Sequence, residues 1–400
     1  MINICVVTST RADYGILQPL MKALIDDKRF LTRICVTGTH LSDKYGKTIE
    51  HIDIDKSNID CIDILGKGLK QESIFSETIV RFDEYLEKNK FDYIVVLGDR
   101  YEILGVAITA YMKQIKVIHI HGGEKTLGLQ DEGFRHSITK FSSLHFTSTE
   151  EYRKRVIQLG ENPCTVYNVG SLSVESILNM KFKTKNELIC KYGLQDDNIC
   201  MVTFNPVTLK KDKGVTEIEA LLESCSHFDF YYIFMFPNID TGADDIFEII
   251  RKNGLKKYKL LGSIPYDDYI SLAKNSSLFI GNSSSGIIEI PSLHIPVINI
   301  GDRQLGRLKS ELVIDSKPTT DDICSAIKKS MSSEYREKML NLPNPYQKEN
   351  TVKEIIETIY SFNPKDYKEF YDIKWNYSLS VSFNESVCWY KVRAALVNRK

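Results

Sequence analysis

Acidic, basic and imidazole side chains are concentrated in one stretch of the chain, at and just after the end of the apolar run Lys116–His121. The residues there that could take part in catalysis or binding are His119, His121, Glu124, Asp131, Glu132, Arg135 and His136. Such a density beside a strand end favours a functional loop over a structural one. Alternation along a strand also predicts that His119 and His121 share one face. Carboxylates in this arrangement suit proton transfer at a substrate carbon, while the H-x-H pair suits a metal hydrolase.

The metal interpretation is the weaker of these two alternatives. His145, His227 and His294 do not follow matching strand ends, so they do not complete a ligand set. Glu124 and Asp131 remain available as ligands, and the alternative therefore stays open.

Two other strand ends in the first half of the chain carry charged groups. The run Ile2–Ser9 leads through hydroxyl residues into Arg11 at the start of a helix, where backbone N–H groups and a guanidinium favour an anion. The run Tyr93–Leu97 is followed by Asp99 and Arg100, and the carboxylate there either caps the next helix or faces a cleft. Neither a Walker loop nor G-x-G-x-x-G is present, which argues against a P-loop NTPase or an NAD enzyme.

The second half of the chain repeats this pattern of anion-binding loops. Ser283 and Ser284 follow an apolar run and lead into a helix, as expected for a phosphate seat. Glu289 lies one turn further on, where a carboxylate can hold a ribose diol. Arg303 and Arg307 follow the next strand. One such loop in each half predicts a nucleotide-sugar diphosphate bound across a cleft.

The elements that position these loops alternate between strand and helix through the whole chain. Twelve short β-branched runs, most of them apolar on both faces, predict parallel sheets covered by helices. The sequence therefore predicts an α/β doubly wound fold, with ligands beyond the carboxyl ends of the strands. The alternation restarts near residue 199 after a polar connection, so we expect two Rossmann-like domains facing a cleft.

Composition narrows the class of protein further. The chain has 400 residues with 52 Lys plus Arg against 53 Asp plus Glu, a net charge of −1 that argues against nucleic acid or an anionic membrane as partner. Its nine cysteines include no C-x-x-C pair, which favours reduced thiols over disulfides or a zinc framework. No signal peptide or run of about 18 apolar residues is present, so we expect a cytoplasmic protein.

Seven stretches of the sequence, taken in order, resemble one enzyme family over roughly residues 1–372. They read TSTRADYG, VVLGDRYEI, HIHGGEKT, DEGFRHSITKFSSLHFTSTEEYRKRVIQLGE, FPNIDTGADD, GNSSSGIIEIPSL and INIGDRQLGR. The resemblance is to the hydrolysing UDP-N-acetylglucosamine 2-epimerases of bacterial sialic acid synthesis. It implies the glycosyltransferase-B architecture, with residues 1–180 and a returning helix at about 345–372 forming the first domain. Residues 181–344 would form the UDP-binding domain, and 373–400 a tail without an assigned role.

The resemblance also implies a reaction. UDP-N-acetylglucosamine would be converted to N-acetylmannosamine and UDP by elimination to 2-acetamidoglucal and rehydration, without cofactor or metal. UDP-N,N′-diacetylbacillosamine, from the legionaminic acid pathway, is the alternative substrate, and a UDP-sugar glycosyltransferase is a more distant alternative. The family further implies a homo-oligomer, either a dimer or a tetramer.

The family's functional residues transfer to named positions of this sequence. The catalytic carboxylates fall on Asp99, Glu124 and Asp131. The residues that would contact substrate or UDP are Arg11, Arg100, Arg135, Asn205, Asn238, Ser283, Ser284, Glu289 and Arg303. Relatives carry His-Pro where this chain has Asn205-Pro206. Because Asn can donate a hydrogen bond but cannot carry a proton, we expect Asn205 to contact phosphate.

Overall fold

The computed structural model describes residues 1–373 except 44–45, 67–69, 128–129, 196–197, 209, 237–241, 253, 263 and 340. Asn238 and nearly all of the expected tail lie outside the described residues.

Two parallel sheets organise the chain. The first has the order β3-β2-β1-β4-β5-β6-β7 and the second β10-β9-β8-β11-β12-β13. The strands of the first sheet are β1 (Ile2–Thr8), β2 (Phe30–Thr37), β3 (Ile59–Ile62), β4 (Tyr93–Leu97), β5 (Lys116–Ile120), β6 (Leu144–Thr147) and β7 (Val166–Asn168). Those of the second are β8 (Ile199–Thr203), β9 (Tyr231–Met235), β10 (Tyr258–Leu261), β11 (Leu278–Gly281), β12 (Val297–Ile300) and β13 (Val313–Ser316). This arrangement confirms the predicted pair of doubly wound α/β domains.

Helices follow the strands and cover both sheets. In the first half they are α1 (Arg11–Asp26), α2 (Gln71–Lys88), α3 (Tyr101–Met112), α4 (Asp131–Phe141), α5 (Glu150–Gln158) and α6 (Leu172–Leu178). The remaining helices are α7 (Lys185–Tyr192), α8 (Val215–Cys225), α9 (Ala243–Arg251), α10 (Tyr266–Lys274), α11 (Ser284–Ile288), α12 (Thr320–Met331), α13 (Ser333–Met339) and α14 (Thr351–Ser361). Helix α6 packs against α1 of the first half, and helix α7 packs against α10 of the second.

One strand of the first sheet was not among the predicted strands. Strand β3 pairs only with β2, at the edge of the sheet, and only Ile62 of its four residues is buried. An edge strand with Asp60 and Cys61 on it lacks the continuous apolar run that identified the central strands.

The last described helix, α14, returns to the first domain. Its apolar face carries Ile355, Ile356 and Ile359, which are buried in the core beneath β1 and α1. The hydroxyl of Thr351 donates to the carbonyl of Val169 at 2.6 Å, and this bond fixes the start of the helix. The burial of these three branched side chains contributes about 1.5–3 kcal/mol each, and it holds α14 against the first domain.

The segment after α14 packs on the same domain. The ring of Phe370 covers Gly160, and the amide of Tyr371 donates to the carbonyl of Gly160 at 2.8 Å. Beneath this contact the buried carboxylate of Glu161 accepts from Lys140 at 2.6 Å and lies 2.8 Å from the ammonium of Lys368. An ion pair therefore anchors the segment that leads to residue 373.

Among the described residues, no helix combines the length and the apolarity needed to cross a membrane.

We expect the Glu161→Gln substitution to lower the free energy of unfolding by about 2–4 kcal/mol, because it leaves the partly buried ammonium of Lys368 without its counter-charge. Urea denaturation measures the change. The exposed Glu150, paired with Arg153 on the surface, supplies the control Glu150→Gln, which should change stability by less than about 1 kcal/mol. Equal effects of the two substitutions would contradict the assigned anchor.

The same carboxylate predicts a pH dependence of stability. Burial favours a higher pKa for Glu161, but the hydrogen bond from His145 and the charge of Lys368 lower its pKa from 4.5 to about 2. Ionised Glu161 therefore stabilises the folded state above about pH 4.5, and this stabilisation is lost as the pH falls toward 2. Between pH 7 and about pH 3.5, Glu161→Gln should lose less stability than the parent protein. Parallel pH profiles of the two proteins would exclude this role.

Candidate active site

The charged loops of both domains lie where the strand order reverses. In the first sheet the reversal is between β1 and β4, and in the second it is between β8 and β11. Adjacent strands at such a point send their following loops to opposite sides and open a crevice at their carboxyl ends. The loops after β1 and β4 carry Arg11, Asp99 and Arg100, and those after β8 and β11 carry Asn205 and Ser283.

Arg135 organises the carboxylates of the first domain. Its guanidinium, only 1% exposed, pairs with the side chain of Asp99 and donates to Glu132 at 2.8 Å. It also donates to the carbonyl of Glu124 at 2.9 Å and to the hydroxyl of Thr126 at 2.8 Å. Helix α4 thus ties the loop after β5 to the end of β4.

The Arg135 pair also sets the protonation of Asp99. Burial favours a higher pKa for Asp99, but the charge and the hydrogen bond of Arg135 outweigh it and hold that pKa below its ordinary value. Asp99 is therefore an ionised carboxylate at neutral pH.

Glu124 is buried between the two domains. Its Oε1 accepts from the hydroxyl of Ser148 at 3.2 Å, and its Oε2 pairs with the guanidinium of Arg307 from the second domain. The ring Nδ1 of His121 lies 3.9 Å from Oε1. The carboxylate is therefore held from both sides of the cleft.

Asp131 is the first residue of α4, four positions before Arg135, and its side chain is partly exposed. One helical turn separates these two residues. Asp99, Glu124 and Asp131 thus belong to the strand end, loop and helix start that Arg135 connects.

The two histidines of the H-x-H pair do not share a strand face, so that prediction is wrong. Strand β5 ends at Ile120, and His121 has a left-handed φ of 63°, which turns the chain out of the strand. His119 is buried, with Nε2 2.8 Å from the carbonyl of Gly98 and Nδ1 3.2 Å from the hydroxyl of Thr139. Burial lowers the pKa of His119 to about 3, so it is neutral. Within the described parts of the chain, no three His, Cys, Asp or Glu residues group as metal ligands.

The predicted arginines near β1 and β4 are both engaged within the protein. Arg11 Nη1 donates to the carbonyl of Ile264 in the second domain at 2.9 Å. Arg100 Nε pairs with the buried carboxylate of Glu102. Thr10 caps α1 and exchanges hydrogen bonds with Asp13, so this loop is also a helix-capping loop.

In the second domain, Asn282 holds together the loops that follow three strands. Its side chain accepts from the amide of Asn205 at 2.7 Å and donates to the Asn205 carbonyl at 2.8 Å. Its carbonyl accepts from Arg303 at 3.2 Å and from Gln304 at 2.9 Å. Gly281, with a φ of 146°, permits this close approach, because a methyl group there would overlap the backbone of Thr203.

Ser283 caps the short helix α11 and accepts from the amide of Ser285 at 3.3 Å, while Ser284 is the first residue of that helix. Glu289 follows α11, is largely buried, and accepts from the hydroxyl of Tyr266 at 2.7 Å. The ring of Tyr266 in turn packs against Gly15 of α1. This contact links the predicted ribose site to the first domain.

Three residues of the site were not predicted from the sequence in the roles that the structure shows. Arg307 was noticed only as a second guanidinium for an anion, and Asn282 and Tyr266 were not singled out. Asn282 sits between Gly281 and Ser283 in the loop already recognised, so its position could have indicated it. The contacts of Arg307 and Tyr266 with the first domain join distant parts of the chain, and a single sequence carries no signal for them.

Comparison with known proteins adds an independent observation. The family model described as UDP-N-acetylglucosamine 2-epimerase matches residues 22–360. Polysialic acid biosynthesis protein P7 of Escherichia coli is 43% identical over 384 residues, which cover 93% of this chain and 98% of that protein. GDP/UDP-N,N′-diacetylbacillosamine 2-epimerase (hydrolyzing) of Campylobacter jejuni subsp. jejuni is 38% identical over 343 residues, covering 84% and 89% respectively.

A solved structure shares the architecture. The UDP-GlcNAc 2-epimerase from Neisseria meningitidis, crystallised with UDP-GlcNAc, matches with a TM-score of 0.77 over 89% of this chain and 99% of its own. At 20% identity this match concerns the fold, and it confirms the glycosyltransferase-B-like arrangement of the two sheets. Since the family model spans most of the sequence and two relatives align along nearly their whole length, this chain belongs to the UDP-N-acetylglucosamine 2-epimerase family.

Proposed function

We propose that this protein is a hydrolysing 2-epimerase that converts UDP-N-acetylglucosamine to N-acetylmannosamine and UDP. The observation that carries the proposal is that Arg135 pairs with the carboxylate of Asp99 and binds the backbone of Glu124, with Asp131 one helical turn before it in α4. From the second domain, Arg307 reaches the carboxylate of Glu124. A site that only binds a diphosphate has no use for such carboxylates, since they would repel it.

The reaction needs a base, an acid and a stabilised leaving group. A carboxylate removes the C2 proton as the C1–O bond to UDP breaks, which leaves a C1–C2 double bond and UDP carrying the electron pair. Water then adds its hydroxyl to C1 and gives its remaining proton to a carboxylate, while a carboxylic acid returns a proton to C2 on the opposite face. Because the lowered pKa keeps Asp99 ionised at neutral pH, Asp99 does not serve as the resting acid.

The departing UDP is assigned to the second domain. Ser283 and Ser284 would contact the diphosphate, Glu289 the ribose, and Arg303 and Asn205 the phosphate oxygens from the loops that Asn282 holds. Arg11 and Arg100 would add positive charge from the first domain. Arg135, also predicted to contact substrate, is supported better as the group that orients the carboxylates, because its hydrogen bonds go to protein acceptors.

The sugar is a choice between two candidates. A protein named for polysialic acid biosynthesis is 43% identical to this chain, and this supports UDP-N-acetylglucosamine. A hydrolysing diacetylbacillosamine epimerase is 38% identical, and it supports UDP-N,N′-diacetylbacillosamine as the second candidate. A glycosyltransferase of this architecture would release no free amino sugar in the absence of an acceptor. The domain boundaries, the cytoplasmic location and the homo-oligomeric state stay predictions.

Incubation of the protein with UDP-N-acetylglucosamine in deuterated water tests the reaction. We expect NMR to detect UDP and free N-acetylmannosamine deuterated at C2, because the proton returned to C2 comes from solvent. Turnover of UDP-N,N′-diacetylbacillosamine at a higher kcat/KM would transfer the proposal to that sugar. Release of UDP with N-acetylglucosamine undeuterated at C2 would contradict both candidates.

The carboxylates predict a common kinetic result. Asp99→Asn, Glu124→Gln and Asp131→Asn should each fold normally and lower kcat at least about 100-fold, since each removes a proton-transfer or charge-stabilising group. Circular dichroism checks the fold and UDP release measures turnover. Glu150→Gln, on an exposed carboxylate of α5, should keep parental kcat. Normal turnover in two of the three variants would remove the catalytic assignment.

Asn205 predicts an effect on binding. Asn205→Ala should weaken UDP binding by about 10-fold or more, as expected for the loss of one hydrogen bond to a charged phosphate. Isothermal titration with UDP measures the affinity, and Asn205→His should retain it. An unchanged UDP affinity in Asn205→Ala would show that this side chain does not contact phosphate.

A further inference from the structure

Arg307 joins the second domain to a proposed catalytic group of the first. It lies in the loop after β12, and its largely buried guanidinium pairs with Oε2 of Glu124. The carboxylate has a neighbour of its own domain on the other oxygen, the hydroxyl of Ser148. A buried ion pair of this kind holds both partners in one orientation, because separation would leave a charge away from water.

The backbone contacts around this pair join the same two loops. The amide of Leu127 in the first domain donates to the carbonyl of Leu305 in the second at 3.0 Å. Gly306 has a φ of 89°, and a Cβ there would come within 3.0 Å of Lys125. The loop of residues 305–307 is therefore docked directly on residues 124–127.

A pair of tyrosines extends the contact beyond Arg307. The hydroxyl of Tyr152, from α5 of the first domain, accepts from the amide of Leu308 at 2.8 Å. The hydroxyl of Tyr346 donates to the carbonyl of Leu308 at 2.6 Å and lies 2.8 Å from that of Tyr152. These neutral groups fix the backbone next to Arg307, so the position of its guanidinium is determined by the contact between domains.

The neighbouring arginine of the same loop behaves differently. Arg303 donates to the carbonyls of Pro206 and Asn282, both in the second domain, and so stays beside the proposed diphosphate site. Arg307, four residues later, crosses to the first domain. The two guanidiniums that the sequence offered together for an anion therefore have separate environments.

We propose that Arg307 is a positioning residue that holds the carboxylate of Glu124 for proton transfer when the cleft is closed. The inference rests on the proposed epimerase function of the site. Because the ion pair spans the two domains, any separation of the domains removes the guanidinium from Glu124. Proton transfer is thereby confined to the closed cleft, where the substrate is shielded from bulk water.

The kinetic test compares Arg307→Met and Arg307→Lys with Arg303→Met. Arg307→Met should lower kcat about 100-fold, as expected for a misplaced catalytic group, and keep UDP affinity within about 2-fold. Arg307→Lys should recover part of kcat, because a cation remains opposite Glu124. Arg303→Met should instead weaken UDP. Lys309→Met removes a partly exposed cation of the same segment and should leave both kcat and UDP affinity unchanged, so it serves as the control.

The kinetic outcomes separate the two roles of Arg307. A loss of UDP affinity of about 10-fold or more in Arg307→Met with kcat preserved would make Arg307 a diphosphate ligand and overturn the proposal. Parental values of both quantities would show that Glu124 needs no partner from the second domain, and would overturn it as well.

A second measurement is independent of turnover. Amide hydrogen exchange of residues 121–127 and 305–308 should be at least about 10-fold faster in Arg307→Met than in the parent, since the loops lose the ion pair that docks them. In Glu124→Gln the additional Arg307→Met change should have little further effect. If neither nucleotide sugar is turned over, the proposed function fails while this exchange still tests the contact. Unchanged exchange in Arg307→Met would overturn the inference.

Discussion

A buried guanidinium is the constraint on which the rest of the site depends. Arg135 is almost inaccessible to water, and an uncompensated charge there would cost several kcal/mol. Its donors are met by the side chains of Asp99, Glu132 and Thr126 and by the carbonyl of Glu124. To satisfy one cation, the protein must therefore bring a strand end, a loop and a helix start into fixed positions. The proposed carboxylates are spaced by this requirement.

The two domains contribute different charged and polar groups to the cleft. Carboxylates lie after β4 and β5 of the first sheet, whereas serine hydroxyls, the Asn282 junction and Arg303 lie after β8, β11 and β12 of the second. A diphosphate and a set of proton-transferring acids repel one another when they share one surface. Placing them on opposite walls of a cleft lets the sugar reach the acids while the phosphates remain beside positive charge. The Arg307–Glu124 pair then bridges these walls.

Much of the framework could be predicted because it follows from local patterns. Apolar runs identified the central strands, and the resemblance implied the returning helix, within whose expected range α14 lies. Strand β3 escaped because an edge strand needs no continuous apolar run. The shared face of His119 and His121 was wrong because β5 ends at Ile120, and a left-handed residue breaks the alternation. Local sequence does not show at which residue a strand stops pairing with its neighbours.

The sequence by itself determined the α/β class, the strand-end loops and the residue types at each loop, since strand periodicity, helix capping and residue chemistry act over a few positions. Only the tertiary structure decided the partners. Arg135 pairs with Asp99, and Arg307 pairs with Glu124 rather than with an anion. Tyr266 donates a hydrogen bond to Glu289. The first and third of these contacts join separate elements within one domain, and the second depends on how the two sheets face one another.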